Sequence, residues 1–136
     1  MKILLILPFD RTWRRKGAFS TTLSYAPLTL TTLAALVPQD LNAQIEIVDE
    51  GVSPPKLDGE YDIVGITATA SSSPRAWALC AWWRARGAYV AVGGAHPTLV
   101  PDEAAKHADT VFVGPGEETW PRFLFDFAAG RPEPRY

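Results

Sequence analysis

The chain has 136 residues, enough for one domain with a hydrophobic core, and a formal net charge of -2. So small a charge gives no electrostatic reason to expect a nucleic acid or an anionic membrane as a partner. The single cysteine, Cys80, excludes an internal disulfide and an iron–sulfur cluster held by this chain's thiolates alone. The apolar opening at residues 2–7 is too short for a membrane span and lacks a signal-peptide cleavage site, so we expect a cytoplasmic protein.

Apolar runs typical of strands alternate with helical segments along the whole chain. The predicted strands are residues 2–7, 44–49, 61–66, 88–92 and 110–113. They are nearly continuous in apolar residues, as expected of strands that are covered on both faces. The alternation predicts a single α/β domain over residues 1–130, built on a parallel sheet with helices on both faces. The proline-rich end, residues 131–136, is predicted to be a linker or tail.

The predicted helices cover residues 27–37, a segment from Ser73 to just before Gly87, a short segment from Pro101, and residues 117–129. In the second of these helices, Ser73 is the predicted N-cap. Apolar residues recur there at three- and four-residue spacing and form a predicted core-facing stripe, which consists of Ala76, Leu79, Cys80 and Trp83. Cys80 is therefore expected to be a buried structural thiol.

Two adjacent tryptophans, Trp82 and Trp83, lie in the same predicted helix. Neighbouring helical residues point about 100° apart, so the two indoles do not easily face the same core. One of them is expected to cover a neighbouring domain or a second copy of the chain. A homo-oligomer is therefore among the partners that we consider.

Three predicted strands end in small or polar residues. Strand 88–92 runs into Gly93 and Gly94, strand 110–113 runs into a second glycine turn, and strand 61–66 runs into the hydroxyl-rich segment 67–73. Glycine lets a ligand or another backbone approach closely because it has no Cβ. The carboxyl ends of parallel strands meet at one edge, where open α/β sheets bind ligands. These segments, with Asp10 and the long segment 8–25 after the first strand, therefore predict one binding crevice.

Single side chains in these segments have more than one interpretation. The hydroxyls after the third strand either bind a polar ligand or satisfy a turn and a helix cap. His96 is a ligand-binding residue, an acid–base group or a turn residue bonded to backbone. No second histidine or carboxylate stands at a metal-ligand spacing from it, so no metal site is predicted. The sequence also lacks a nucleophile elbow, a phosphate-binding loop and a dinucleotide-binding fingerprint.

Two glycine motifs follow one another in order, GGAHPT at positions 93–98 and GPGEETWP at positions 114–121, with PDE at 101–103 between them. Together with the opening strand and the entry to the first helix, they resemble the cobalamin (B12)-binding domain that precedes the catalytic barrel in B12-dependent radical SAM enzymes. The resemblance covers nearly the whole chain. It implies a flavodoxin-like (Rossmann-type), doubly wound sheet of five parallel strands. The corrin would lie over the strand ends, with its nucleotide tail between the sheet and a helix.

The resemblance also implies a set of cofactor-binding residues at the strand ends. They are Thr67, Thr69, Ser71, Gly93, Gly94, His96, Pro97, Gly114, Gly116 and Glu117. The wider B12-binding group often carries a cobalt-ligating histidine two residues after an aspartate that follows the first strand. This chain has Thr12 in that place after Asp10, which implies a cobalt ion without a protein histidine. Pro115 stands where the family commonly has Glu, and it removes one backbone donor.

Radical S-adenosylmethionine (SAM) chemistry needs a 4Fe–4S cluster held by several cysteines, and this chain has one. The chain is therefore expected not to be catalytic alone. It is either the N-terminal part of a longer methyltransferase-type enzyme or a standalone cobalamin carrier, with a radical SAM catalytic domain in cis or in trans. SAM and the cluster would belong to that catalytic domain.

Two other functions fit the same residues. One is a module of the same fold that binds a flavin or a nucleotide, which visible absorbance distinguishes from a corrinoid. The other is a structural or interaction domain whose crevice stays empty. If the glycine turn after the fourth strand forms the slot, replacing Gly94 with Phe is expected to abolish corrinoid binding and leave the fold intact.

Overall fold

The computed structural model describes residues 1–10, 28–55 and 58–136 of the chain. The strands are β1 Lys2–Leu7, β2 Gln44–Asp49, β3 Ile63–Thr67, β4 Tyr89–Gly93 and β5 Thr110–Val111. They form one sheet in the order β2-β1-β3-β4-β5, and every neighbouring pair is parallel. The helices are α1 Leu28–Ala35, α2 Ser73–Arg84, α3 Ala95–Leu99, α4 Pro101–Ala104 and α5 Thr119–Ala128. The predicted α/β fold with a flavodoxin-like parallel sheet is therefore confirmed.

Some predictions fall on parts of the chain that the structure does not cover. Position 12, most of the segment 8–25 and the predicted start of the first helix at position 27 lie outside the described residues. Among the helices that the structure does describe, none is long and apolar enough to cross a membrane.

The helices cover both faces of the sheet. On one face α2 and α4 bury apolar side chains such as Leu79 and Ala104 against β3 and β4. On the other face α1 and α5 bury Leu30, Trp120 and Phe123 against β1, β3 and β4. Because β1, β3 and β4 are covered on both sides, their sequences are nearly continuous in apolar residues, whereas the edge strand β2 alternates and leaves Ile45 and Ile47 exposed.

The start of α2 differs from the prediction by one residue. Ser72, not Ser73, is the N-cap residue, and its side chain makes no capping hydrogen bond. Its Oγ instead accepts the backbone N–H of Thr69 at 3.0 Å, in the turn that leads into the helix. Ser73 lies inside the first turn, where its hydroxyl donates to the carbonyl oxygen of Ala70 at 3.0 Å. The predicted cap at Ser73 was therefore wrong.

The two adjacent tryptophans of α2 point in different directions, as the helical geometry predicts. Trp83 is 1% exposed and belongs to the core with the rest of the predicted stripe, whereas Trp82 is 38% exposed. The guanidinium carbon of Arg86 lies 3.4 Å from the centroid of the Trp82 ring, a cation–π contact on the protein surface.

Cys80 is buried in α2, and burial raises the pKa of its thiol to about 12. The nearby Arg84 lowers this pKa but does not offset the loss of solvation. Because the thiolate is the reactive form, we expect a thiol-specific disulfide reagent at pH 8 to modify the folded protein at least about a hundredfold more slowly than the urea-unfolded protein. Comparable rates in the two states would contradict a buried structural thiol.

The last residues of the chain, predicted to be a linker or tail, run parallel to β5. The backbone N–H of Val111 donates to Pro134, that of Tyr136 to Val111, and that of Val113 to Tyr136, at 2.8–3.0 Å. The Tyr136 ring stacks on Phe112 with a centroid separation of 5.6 Å. The segment therefore extends the pairing of the sheet beyond β5.

Candidate functional site

A cavity of about 410 Å³ opens at the carboxyl edge of the sheet, on the face that α1 and α5 cover. Gly65 and Ala91 line it from the sheet, Leu30 lines it from α1, and Trp120 lines it from α5. The turn after β5 closes a further side. Among the described lining residues the only charged one is Glu117, so the cavity suits a largely neutral, apolar group.

Small residues on the two central strands form the floor of the cavity. Gly65 on β3 pairs in register with Ala91 on β4, and further along the same face Thr67 pairs with Gly93. A Cβ on Gly65 would lie only 2.8 Å from Cδ2 of Leu5. Larger side chains at these positions would take up the space between the sheet and the helices.

Thr98 connects the two glycine motifs. Its hydroxyl donates to the carbonyl oxygen of Gly94 at 2.8 Å and accepts the backbone N–H of Gly114 at 3.0 Å. Gly114 has a φ of 83°, a left-handed conformation that favours glycine. All three residues line the cavity. The turns after β4 and β5 are therefore fixed to one another at its mouth.

The backbone at Gly94 has a conformation that favours glycine, so a substitution there would disturb the turn as well as any ligand slot. Its φ is 103°, and a Cβ would lie 2.7 Å from Thr67 Oγ1 and 2.8 Å from the carbonyl oxygen of Ala68. The Ala68 carbonyl belongs to the main chain and cannot swing aside. A Phe at position 94 would strain the turn, so this variant is expected to lose stability as well as corrinoid binding and does not test the slot by itself.

The hydroxyl-rich segment after β3 is largely engaged with itself and with Asp10. Thr69 Oγ1 lies 3.1 Å from Asp10 Oδ2, and the Ser71 hydroxyl donates to the same carboxylate oxygen. Thr69 Oγ1 also lies 3.1 Å from Ser72 Oγ. Of the hydroxyls that the resemblance implicates, Thr67 lines the cavity, whereas Thr69 and Ser71 lie beside Asp10 at the sheet edge.

His96 belongs to a cluster on the other face of the sheet. Its ring centroid lies 5.9 Å from that of Trp77, and its Nε2 lies 3.4 Å from Glu103 Oε1. The hydrogen bond with His96 holds the pKa of Glu103 below its ordinary value. The second histidine, His107, stacks on the same indole at 4.6 Å. Within the described part of the chain, no group of three or more His, Cys, Asp or Glu side chains is arranged to hold a metal ion.

The structure places six of the ten predicted cofactor-binding residues around the cavity. The predicted site residues that line the cavity are Thr67, Gly93, Gly94, Gly114, Gly116 and Glu117. Thr69, Ser71, His96 and Pro97 are not among its described lining residues.

Sequence reasoning missed other lining residues, among them Gly65, Ala91 and Trp120. The glycine at position 65 was the available signal, because glycine inside an apolar strand marks a close approach. The role of Ala91 depends on the register of β3 and β4, which the sequence does not reveal.

Two curated methyltransferases of Chlorobaculum tepidum are similar to this chain. Bacteriochlorophyllide d C-8(2)-methyltransferase is 41% identical over 93 residues, which make up 68% of this chain and 21% of that protein. Bacteriochlorophyllide d C-12(1)-methyltransferase is 29% identical over 132 residues, 96% of this chain and 28% of that protein. No family model matches the chain. The matched residues make up between a fifth and just over a quarter of the length of these two relatives. The chain is thus homologous to part of each methyltransferase.

Proposed function

We propose that this domain binds a corrinoid, with the flat base of the nucleotide tail in the cavity and the corrin over the carboxyl edge of the sheet. The observation that carries the proposal is the cavity itself, which lies between the sheet and α1 on a floor that includes Gly65, Ala91 and Gly93. This is the place that the family resemblance assigns to the tail. Its volume of about 410 Å³ falls within the range of small-molecule sites.

The residues around the cavity fit such a group. A Cβ on Gly93 would lie 3.2 Å from Phe112, so glycine there keeps the slot open for a flat ring. Gly116 and Leu33 both line the cavity and lie close together, since a Cβ on Gly116 would be in van der Waals contact with Leu33 Cδ2 at 3.5 Å. The Thr67 hydroxyl and the turn at Gly114 supply polar groups at the mouth.

The two homologues support methyl transfer as the class of chemistry in which the domain takes part. Both are methyltransferases, and the resemblance is to a domain that accompanies methyltransferase-type catalytic domains. When bound, a corrinoid supplies a cobalt centre for methyl transfer. His96 and His107 both pack against Trp77 on the far face, in keeping with binding that uses no imidazole of either residue on cobalt.

We further propose that the domain acts together with a catalytic domain, in cis or in trans, that supplies SAM and an iron–sulfur cluster. The supporting observation is the length of the relatives, of which this chain covers at most 28%. The domain's own residues would hold the cofactor and keep water from its buried tail.

An absorbance titration with hydroxocobalamin tests the proposal. We expect a saturable change in the visible bands with one corrinoid per chain, whereas flavin mononucleotide should give no saturable change. A hydroxocobalamin spectrum that does not respond to the protein would overturn the proposal. Saturable binding of the flavin alone would do the same and would favour the flavin-binding alternative.

A further inference from the structure

The two edges of the sheet differ in how they are covered. At one edge, the last residues of the chain pair with β5. At the other edge lies β2, which is six residues long and pairs with β1 alone among the described strands. An edge strand presents a row of unpaired backbone N–H and C=O groups, so it can serve as a template for pairing with another chain.

The outward-pointing backbone groups of β2 belong to Ile45 and Ile47. On the inner side of the strand, the N–H of Gln44 donates to Met1 at 2.9 Å and that of Glu50 donates to the end of β1 at 3.0 Å. Backbone groups alternate sides along a strand, so the N–H and C=O groups of Ile45 and Ile47 point away from β1. Within the described part of the chain, no loop or turn hydrogen bond reaches either residue.

The side chains of the same two isoleucines are exposed. Ile45 is 37% and Ile47 is 42% exposed, although they pair in register with Ile3 and Leu5, which are fully buried. The register places all four side chains on the face that α1 covers, so the two isoleucines continue the apolar surface of that face beyond β1. β2 has no lysine, proline or bulge, the features by which many natural edge strands avoid association.

We propose that β2 is a self-association surface, which pairs antiparallel with β2 of a second copy of the chain. The two-fold axis would pass through Ile45, perpendicular to the sheet, and join two five-stranded sheets into one. The backbone groups of Ile45 would pair with those of the Ile45 in the second copy, and those of Ile47 with Ala43. The inference goes beyond the proposed function, because no residue of β2 is among the described residues that line the cavity.

The side chains favour this register over its neighbours. Residues directly opposite one another in an antiparallel pair share a face, and like charges in such positions are destabilising. An axis at Glu46 would place the two Glu46 carboxylates opposite one another, and an axis at Ile47 would place Ile45 opposite Asp49. With the axis at Ile45, apolar side chains meet apolar ones on the α1 face. On the other face, the side-chain amide of Gln44 lies opposite Glu46 and can donate to its carboxylate.

Sedimentation velocity over a range of chain concentrations measures this association. The interface formed by one strand of each copy is small, so we expect a monomer–dimer equilibrium with a dissociation constant of roughly 10–1000 µM. Ile45→Lys should raise this constant at least about tenfold, because it brings two like charges together at the axis. Val52→Lys adds the same charge just beyond β2, at a side chain that is 76% exposed, and should leave the equilibrium unchanged.

Disulfide trapping tests the register. Cys80 is buried, so it does not compete with an introduced cysteine. Opposite residues of a hydrogen-bonded pair have Cα atoms about 5.5 Å apart, which suits a disulfide. Ile45→Cys should therefore give a cross-linked dimer under mild oxidation. Ile47→Cys is the matched control on the same face, and it should not cross-link because the two copies of position 47 would be more than about 10 Å apart.

A wild-type chain that stays monomeric at about 1 mM would overturn the inference, and so would a dimer that Ile45→Lys leaves intact. Equal cross-linking of the two cysteine variants would also contradict it. These results do not depend on the proposed function, since Ile45→Lys lies away from the cavity and should bind hydroxocobalamin as the wild type does. A monomer that binds the corrinoid would reject the self-association and retain the corrinoid site, whereas a dimer that binds none would do the reverse.

Discussion

Replacing Ala91 with Phe should weaken the binding of hydroxocobalamin at least tenfold while the protein stays folded. Ala91 is 2% exposed and lies on the cavity floor, on the face of β4 that looks toward α1 and α5. A phenyl ring at this position would occupy the space that we assign to the flat base. The cavity of about 410 Å³ gives the added ring room, so the free energy of unfolding should fall by no more than the lower end of the about 1–3 kcal/mol that overpacking of a closed core costs.

The matched control is the same substitution at Ala76. Ala76 is fully buried in α2 on the opposite face, in a core cluster that does not line the cavity. Overpacking there should lower the free energy of unfolding by about 1–3 kcal/mol or more, and the folded fraction should still bind hydroxocobalamin. If Ala91→Phe binds the corrinoid as tightly as the wild type, the base does not occupy this cavity.

Replacing Phe123 with Ala should have the largest effect on stability, lowering the free energy of unfolding by about 3–5 kcal/mol. Phe123 lies on the inner face of α5 and is fully buried. Its ring contacts those of Phe112, Trp120 and Tyr136 at centroid distances of 5.4–5.6 Å. Such a loss is a large fraction of the total stability of a small domain. Urea denaturation followed by circular dichroism measures it.

Phe125, two residues further along the same helix, is the control. It is 49% exposed, so truncation to Ala should change the free energy of unfolding by no more than about 0.5 kcal/mol. Similar losses for the two variants would mean that α5 does not pack on the sheet through Phe123.

The central strands were predictable because strands buried on both faces are nearly continuous in apolar residues, and the core stripe of α2 was predictable from its three- and four-residue spacing. β1 and β2 match the predicted ranges, and Cys80 and Trp83 are buried as their spacing requires. α3 was not predicted, since a helix of five residues is too short to establish a period. It follows Gly94, whose φ of 103° turns the chain at the end of β4.

The site was only partly predictable because its residues are assembled by contacts between distant segments. Thr69 and Ser71 meet Asp10, about sixty residues earlier in the chain, and this contact leaves them at the edge of the sheet. Trp120 has the helical spacing of an ordinary core residue, and only the structure reveals that it lines the cavity. The prolines at 132 and 134 predict a linker, whereas the hydrogen bonds of this segment to β5 depend on the folded sheet.

Equilibrium dialysis against hydroxocobalamin, with the wild type and Ala91→Phe in parallel, tests the corrinoid site most directly. After removal of free ligand, the wild type should retain one corrinoid per chain and the variant should retain almost none. Equal retention by the two proteins, or no retention by the wild type, would contradict a corrinoid whose base lies in the cavity between the sheet and α1.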